Sequence, residues 1–248
     1  MRPLRHRRLP GLPWALAAVS LISPALPGEE SPADKTQIPA VRWDEQRPGC
    51  TFSRSEDGRY VYGFWSGDVG ITLAVDSQEL EKVHRRHEPF FAALLTVRER
   101  GPGTLDVATN GISLEFVQHF QVVQTALDPD AFATKVQNDA DELDHETARE
   151  VQKHPEKKEA KEAYVRAFQK DSAELLEFVG KSSLRPTRLG PGNPEASGWV
   201  MFSADSKWIG GWKKQEEFIL RVPLDGKMFE FPFRLPPKPG DVMLRRRE

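Results

Sequence analysis

His84-Arg85-Arg86-His87 places two imidazoles three residues apart, a spacing at which both can turn toward one metal ion, with Glu81 and Glu88 nearby. A zinc centre needs three or four protein ligands. No further ligand follows at a defined spacing and no His-Glu-x-x-His run is present, so the segment reads as a solvated connection between strands. Asp139, Asp141, Glu142, Asp144, His145 and Glu146 are the other concentration of ligand-type residues. Glu142 and His145 have the spacing that helical carboxylate metal sites use, but such sites require matching pairs on facing helices. The next helical stretch offers Glu159 and Glu162 and no histidine, which leaves an ordinary acidic face. Aspartates spaced around a central glycine, as an EF-hand loop requires, are absent.

Covalent chemistry has equally little to work with. Gly-x-Ser-x-Gly does not occur. Cys50 is the only cysteine, and its conceivable imidazole partners, His87 and His119, are remote in sequence. It can form no internal disulfide; a contact between molecules or a reactive thiol stands against the plainer reading of a small buried residue. Gly190-Pro191-Gly192 lacks the lysine and helix start of a phosphate loop. The sequence therefore commits no residue to catalysis, and no cofactor or metal is expected.

Recognition is better represented. Lys207, Trp208, Trp212, Lys213 and Lys214 surround the pair Gly210-Gly211. Tryptophans are enriched at binding hot spots, and a basic-aromatic loop suits a protein, a glycan or an anionic membrane surface. The competing reading folds both indoles down to close one end of a β domain, because aromatics bury large apolar areas.

The elements that must carry these residues divide around Asp128–Gly180. Asp128 before Pro129 has the chemistry of a helix N-cap followed by a first-turn proline. Phe132, Val136, Ala140, Leu143, Thr147 and Val151 then recur every three or four residues. His154-Pro155 breaks the pattern. A second stripe follows in Tyr164, Ala167, Phe168, Leu175, Phe178 and Val179, with Gly180 as the expected stop. An antiparallel helical hairpin over 128–180 is expected, with one kinked rod as the alternative.

On either side the period changes to two. Tyr60-Val61-Tyr62, Val69 to Val75, Phe90 to Arg98, Leu105 to Val107 and Ile112 to Val117 read as strands. So do Gly198 to Phe202, Glu217 to Val222 and Met228 to Phe233. Asn110-Gly111 and Asp225-Gly226 are strong turn signals. Phe229, Phe231 and Phe233 share a face that must be buried. Segments 50–127 and 197–248 thus make one β domain, joined to the helices by a Pro/Gly-rich connection over 181–196. One Ser-x-Asp-Gly-Arg-Tyr turn at Ser55–Tyr60 has no repeat, which excludes a β-propeller.

The N-terminus has a basic run, Arg2, Arg5, Arg7 and Arg8, an apolar stretch from Trp14 to Ile22, and small residues through Ala25. These features predict a secretory signal over 1–25, a flexible segment over 26–49 and no membrane span after cleavage. Without residues 1–25, which hold four Arg and no acid, the 35 Lys+Arg fall to 31 against 37 Asp+Glu, a formal charge of −6. That balance excludes a nucleic-acid footprint.

Phe90 to Val117, with its Ile112-Ser113-Leu114-Glu115-Phe116, resembles a strand-turn-strand block of secreted bacterial immunoglobulin-like domains of the DUF4352-like, telokinin-like group. Ser197-Gly198-Trp199-Val200-Met201-Phe202-Ser203 and Phe218 to Leu224 continue the resemblance over about half of the expected mature chain. It implies an immunoglobulin-like antiparallel β-sandwich acting as a non-enzymatic extracytoplasmic module, and supplies no site residues. The helical insertion departs from that group's short loops. The expectation is a secreted sandwich with an inserted hairpin that recognises a protein partner. The alternatives are a self-associating structural protein of the envelope and a metal-dependent hydrolase.

Overall fold

Alternation at a period of two resolves into two sheets packed face to face. The computed structural model describes residues 38–76, 90–118, 122–204 and 215–235. Strands β2 (Cys50–Arg54), β3 (Tyr60–Ser66), β4 (Val69–Val75), β5 (Phe90–Glu99) and β10 (Glu195–Ser203) form one sheet in the order β10-β5-β4-β3-β2. All its pairings are antiparallel. Strands β1 (Ala40–Arg42), β7 (Ser113–Phe116), β8 (Val122–Thr125), β11 (Glu216–Leu224) and β12 (Lys227–Leu235) form the second, in the order β1-β12-β11-β7-β8. Strands β6 (Leu105–Val107) and β9 (Thr187–Leu189) pair as a separate ribbon. The expected antiparallel β-sandwich with an inserted helical hairpin is the architecture observed.

The core is aromatic. Phe229, Phe231 and Phe233 all point inward and are at most 2 % exposed. Across the gap, Phe91 stacks on Phe218 at 5.6 Å between centroids, and Phe64 meets Phe229 edge-on at 5.7 Å. Each such side chain contributes on the order of 1.5–3 kcal/mol through burial alone. Asp225 and Gly226 both adopt positive φ, 51° and 64°, and close the β11–β12 hairpin between Leu224 and Lys227. Gly111 also turns with φ 90°, but β6 and β7 on either side of it do not pair with each other.

Residues 26–49 divide. Positions 26–37, like the expected signal segment 1–25, lie outside the described residues. From Ala40 the chain is a strand, lying parallel to β12, and is not a flexible tail. Three residues are too few to show a period, and their hydrogen-bond partners come from the far end of the domain. Trp43 then crosses to the other sheet, where its indole N–H donates to the carbonyls of Thr51 and Gly63 at 3.2 and 3.1 Å.

Helices α1 (Pro129–Lys153) and α2 (Lys158–Ser182) have 25 residues each, about 37 Å at 1.5 Å per residue. The Asp128 carboxylate accepts from the backbone N–H groups of Asp130 and Ala131 at 3.1 and 2.8 Å. A short 3-10 turn at Pro155–Lys157 separates the helices, which fold back on one another as a hairpin. Gly180 is not the stop. It lies within α2, and the helix ends where Ser183 turns extended and bridges to Trp199. The Pro/Gly-rich connection over 181–196 contains β9, held to β6 partly by Arg188 gripping Asp106 at 2.7 and 3.0 Å.

Candidate functional site

Strand β5 is buried on both faces, and this positions the hairpin. Phe91, Ala93, Leu95 and Val97 face the sandwich core. Phe90 and Ala92 face outward and, with Met201 of β10, meet Phe132 and Val136 of α1 and Leu175 and Val179 of α2. Phe90 and Phe132 pack edge-on at 5.5 Å, and Phe178 lies 5.7 Å from Trp199. The guanidinium of Arg59 sits 5.0 Å from the Trp199 ring centroid. The first turns of α1 and the last turns of α2 are therefore a third layer on the sheet.

The remainder of the hairpin is an arm. Its buried residues, Ala140 and Thr147 on α1 and Val165, Phe168 and Ser172 on α2, belong to neither the sandwich core nor the helix–sheet cluster. They are covered helix against helix. The buried Ser172 hydroxyl donates to the Phe168 carbonyl at 2.8 Å, which satisfies it without leaving the helix. Lys161 pairs with Glu150 across the two helices and holds that carboxyl below the usual carboxylate range, first through the hydrogen bond and then through its charge. The second apolar stripe buries Phe168, Leu175 and Val179 as expected, and departs by one residue at its start. Val165 is 5 % exposed and takes the inward position, whereas Tyr164 is 47 % exposed. The two neighbours are 100° apart on the helix, and the aliphatic side chain takes the inner position while the phenol keeps its hydroxyl at the surface.

Near its tip the arm carries an open groove of about 380 Å³. Thr147, Val151 and Val165 line it, between Asp144 and Ala148 of α1 and Glu162 and Arg166 of α2. At 100° per residue these positions on α2 lie on the flank opposite Phe178, so the groove faces away from the sheet. It combines a small apolar floor with a rim of both charge signs. That arrangement accepts an apolar ridge with polar flanks, and offers no paired nucleophile and base.

The residues singled out by sequence fall differently. Lys207, Trp208, Trp212, Lys213 and Lys214 lie outside the described residues, as do Glu81, His84, His87, Glu88 and His119. Glu142 and His145 are exposed on α1, with Glu159 exposed on α2. Among the described residues no three His, Cys, Asp or Glu side chains gather where an ion could be held. Cys50 is 5 % exposed within the sandwich core, where burial pushes its thiol above the ordinary value. The groove was not anticipated. Its trace in the sequence is the end of the first apolar stripe, Thr147 and Val151, with Asp144 and Ala148 beside it.

No family model, no curated protein and no solved structure matches this chain. Among the described residues no helix is long and apolar enough to cross a membrane.

Proposed function

We propose that this chain is an extracytoplasmic binding module that recognises a protein partner through the distal arm of its hairpin, without catalysing a reaction. One observation carries the reading: Ala140, Thr147, Val165 and Phe168 form a helix-on-helix core that belongs to neither of the other apolar clusters. Two helices of this length exceed what is needed to cover Phe90, Ala92 and Met201, so most of each helix is available to another molecule. The extracytoplasmic part rests on the basic, apolar and small-residue sequence of positions 1–25 and on the resemblance to secreted immunoglobulin-like domains.

The test shortens the arm and keeps its base. Residues 144–166 are replaced by a three-residue Gly-Asn-Gly turn, leaving Phe132, Val136, Leu175 and Val179 against the sheet. Circular dichroism and thermal unfolding first establish that the sandwich is retained. Both forms are then used as affinity baits against extracytoplasmic extract. A protein held by the full chain and lost from the short-armed form is the expected result; equal capture by both moves recognition to the sandwich and its loops.

A further inference from the structure

The groove near the tip has a property that a surface for an arbitrary partner would not need. Asp144 stands eleven residues before Pro155 and Arg166 stands eleven after it, so the two lie at the same height on opposite helices of the arm. Both line the groove, one on each wall. Asp144 has no ion-pair partner among the described residues, and Arg166 meets Glu162 only at 3.9 Å. The walls also differ in charge. Among the residues that line the groove, α1 supplies the acid Asp144, and α2 supplies the bases Lys158 and Arg166 with the acid Glu162.

We propose that the groove is occupied by the same groove of a second copy, giving a two-fold dimer whose four arm helices form an antiparallel bundle. The inference rests on the reading of the arm as the contact surface and names its partner. A two-fold axis running along the arm, between two grooves placed face to face, sets α1 of one copy opposite α2 of the other. The opposed helices are then antiparallel, and residues at equal height meet. Asp144 of each copy faces Arg166 of the other, so the pair is made twice, and Lys158 adds a second base on each α2 wall. Ala148 and Val151 of both copies close the apolar seam over the buried Thr147 and Val165, with side chains small enough for helices to approach at the 8–10 Å of ordinary packing. Each groove faces away from its own sheet, so the sandwiches stand on the outside of the bundle and do not collide.

Sedimentation equilibrium of the full chain over a hundredfold concentration range tests this. The expected result is a reversible monomer–dimer equilibrium that weakens with salt, as charge pairing across a rim requires. Because the pair occurs twice, Asp144→Arg or Arg166→Asp alone should weaken dimerisation by about tenfold or more. The double variant Asp144→Arg with Arg166→Asp should return to within about threefold of the parent. Both positions are exposed, and circular dichroism of each variant separates weakened association from misfolding. A chain that stays monomeric throughout the range overturns the dimer, as does a dimer insensitive to both single substitutions. If the monomeric chain still holds a different protein through its arm, the dimer fails while the broader reading stands; if the short-armed form dimerises as well as the parent, both fail.

Discussion

Arg59 lies over Trp199, guanidinium to ring centroid 5.0 Å, while Phe178 approaches the same indole at 5.7 Å. One side chain of β10 thereby joins the turn before β3 to the last turns of α2. Trp199→Ala removes the helix contact and the cation–π contact together. The expected cost is about 2–3 kcal/mol, below the range for a fully buried tryptophan because this one is half-buried. Arg59→Ala should cost about 0.5–1 kcal/mol. Urea unfolding gives both values. Hydrogen exchange should show faster opening in Glu174–Ser182 than in β3 or β4 for Trp199→Ala; uniform acceleration would mean that the indole does not hold the helix base in particular.

Glycines at two positions of the same sheet make a contrasting pair. A Cβ added at Gly198 would run into the backbone of Leu184, reaching its Cα at 2.5 Å and the Ser183 carbonyl carbon at 2.7 Å. One added at Gly63 would meet the Oγ1 of Thr51, a side chain that can rotate away. Gly198→Ala should therefore lose about 3 kcal/mol and about 6–12 °C in Tm, and Gly63→Ala less than about 1 kcal/mol. Equal losses would show that the 183–184 crossing yields as easily as a threonine rotamer.

Long strands and long helices were legible in the sequence because they repeat a period several times. Val69 to Val75 and Phe229, Phe231 and Phe233 show the period of two, and Phe132 to Val151 shows the helical one. The short elements were not. Ala40–Arg42 and Thr187–Leu189 are strands only because β12 and β6 lie beside them, and nothing within three residues encodes a partner about 80 to 190 positions away. β2, with Cys50 and Phe52 inward, was hidden by its position between two turns. On the arm, Tyr164 and Val165 are adjacent and both have apolar bodies, so either can start the stripe until α2 is packed against α1. The groove was illegible for a related reason: Thr147 and Val151 belong to the apolar stripe of α1, and Asp144 and Ala148 join them in a groove only when α2 is placed beside them.

Asp106 is held below the usual carboxylate range chiefly by the Arg188 hydrogen bond, which outweighs the opposing desolvation, with the Arg188 charge adding a lesser pull. A carboxyl whose folded pKa is depressed adds stability that is fully present above its unfolded value, near pH 4, and lost as pH falls through the lower folded value. Asp106→Asn should therefore lower stability at neutral pH relative to the parent, with the difference closing in acid below the ordinary aspartate range. The pair is exposed, so salt should shrink the difference too. Denaturation at pH 7, 4 and 2.5, with and without added salt, checks both trends, and a difference that is constant with pH would remove the Arg188 contact as its cause.

Arg221 presents the opposite environment on the outer face of the second sheet. Its Nη2 lies 2.5 Å from the Glu115 carboxylate and its Nε 2.9 Å from Glu230, with Glu115 only 9 % exposed at the side chain. Burial alone would draw the guanidinium down, and the bonds to Glu230 and Glu115 more than reverse this, leaving it above its ordinary value. Arg221→Ala strands a mostly buried carboxylate between β7 and β11, which should cost about 2–3 kcal/mol. Glu115→Gln keeps a neutral acceptor and removes the charge that would be stranded, so it should cost less, about 1 kcal/mol. Adding Glu115→Gln to Arg221→Ala should then recover part of the loss, because the penalty is the unpaired charge and not the missing contact. A double-mutant cycle by urea unfolding measures this coupling. Strict additivity would show that water reaches Glu115 once the arginine is gone, so that no unpaired charge is stranded.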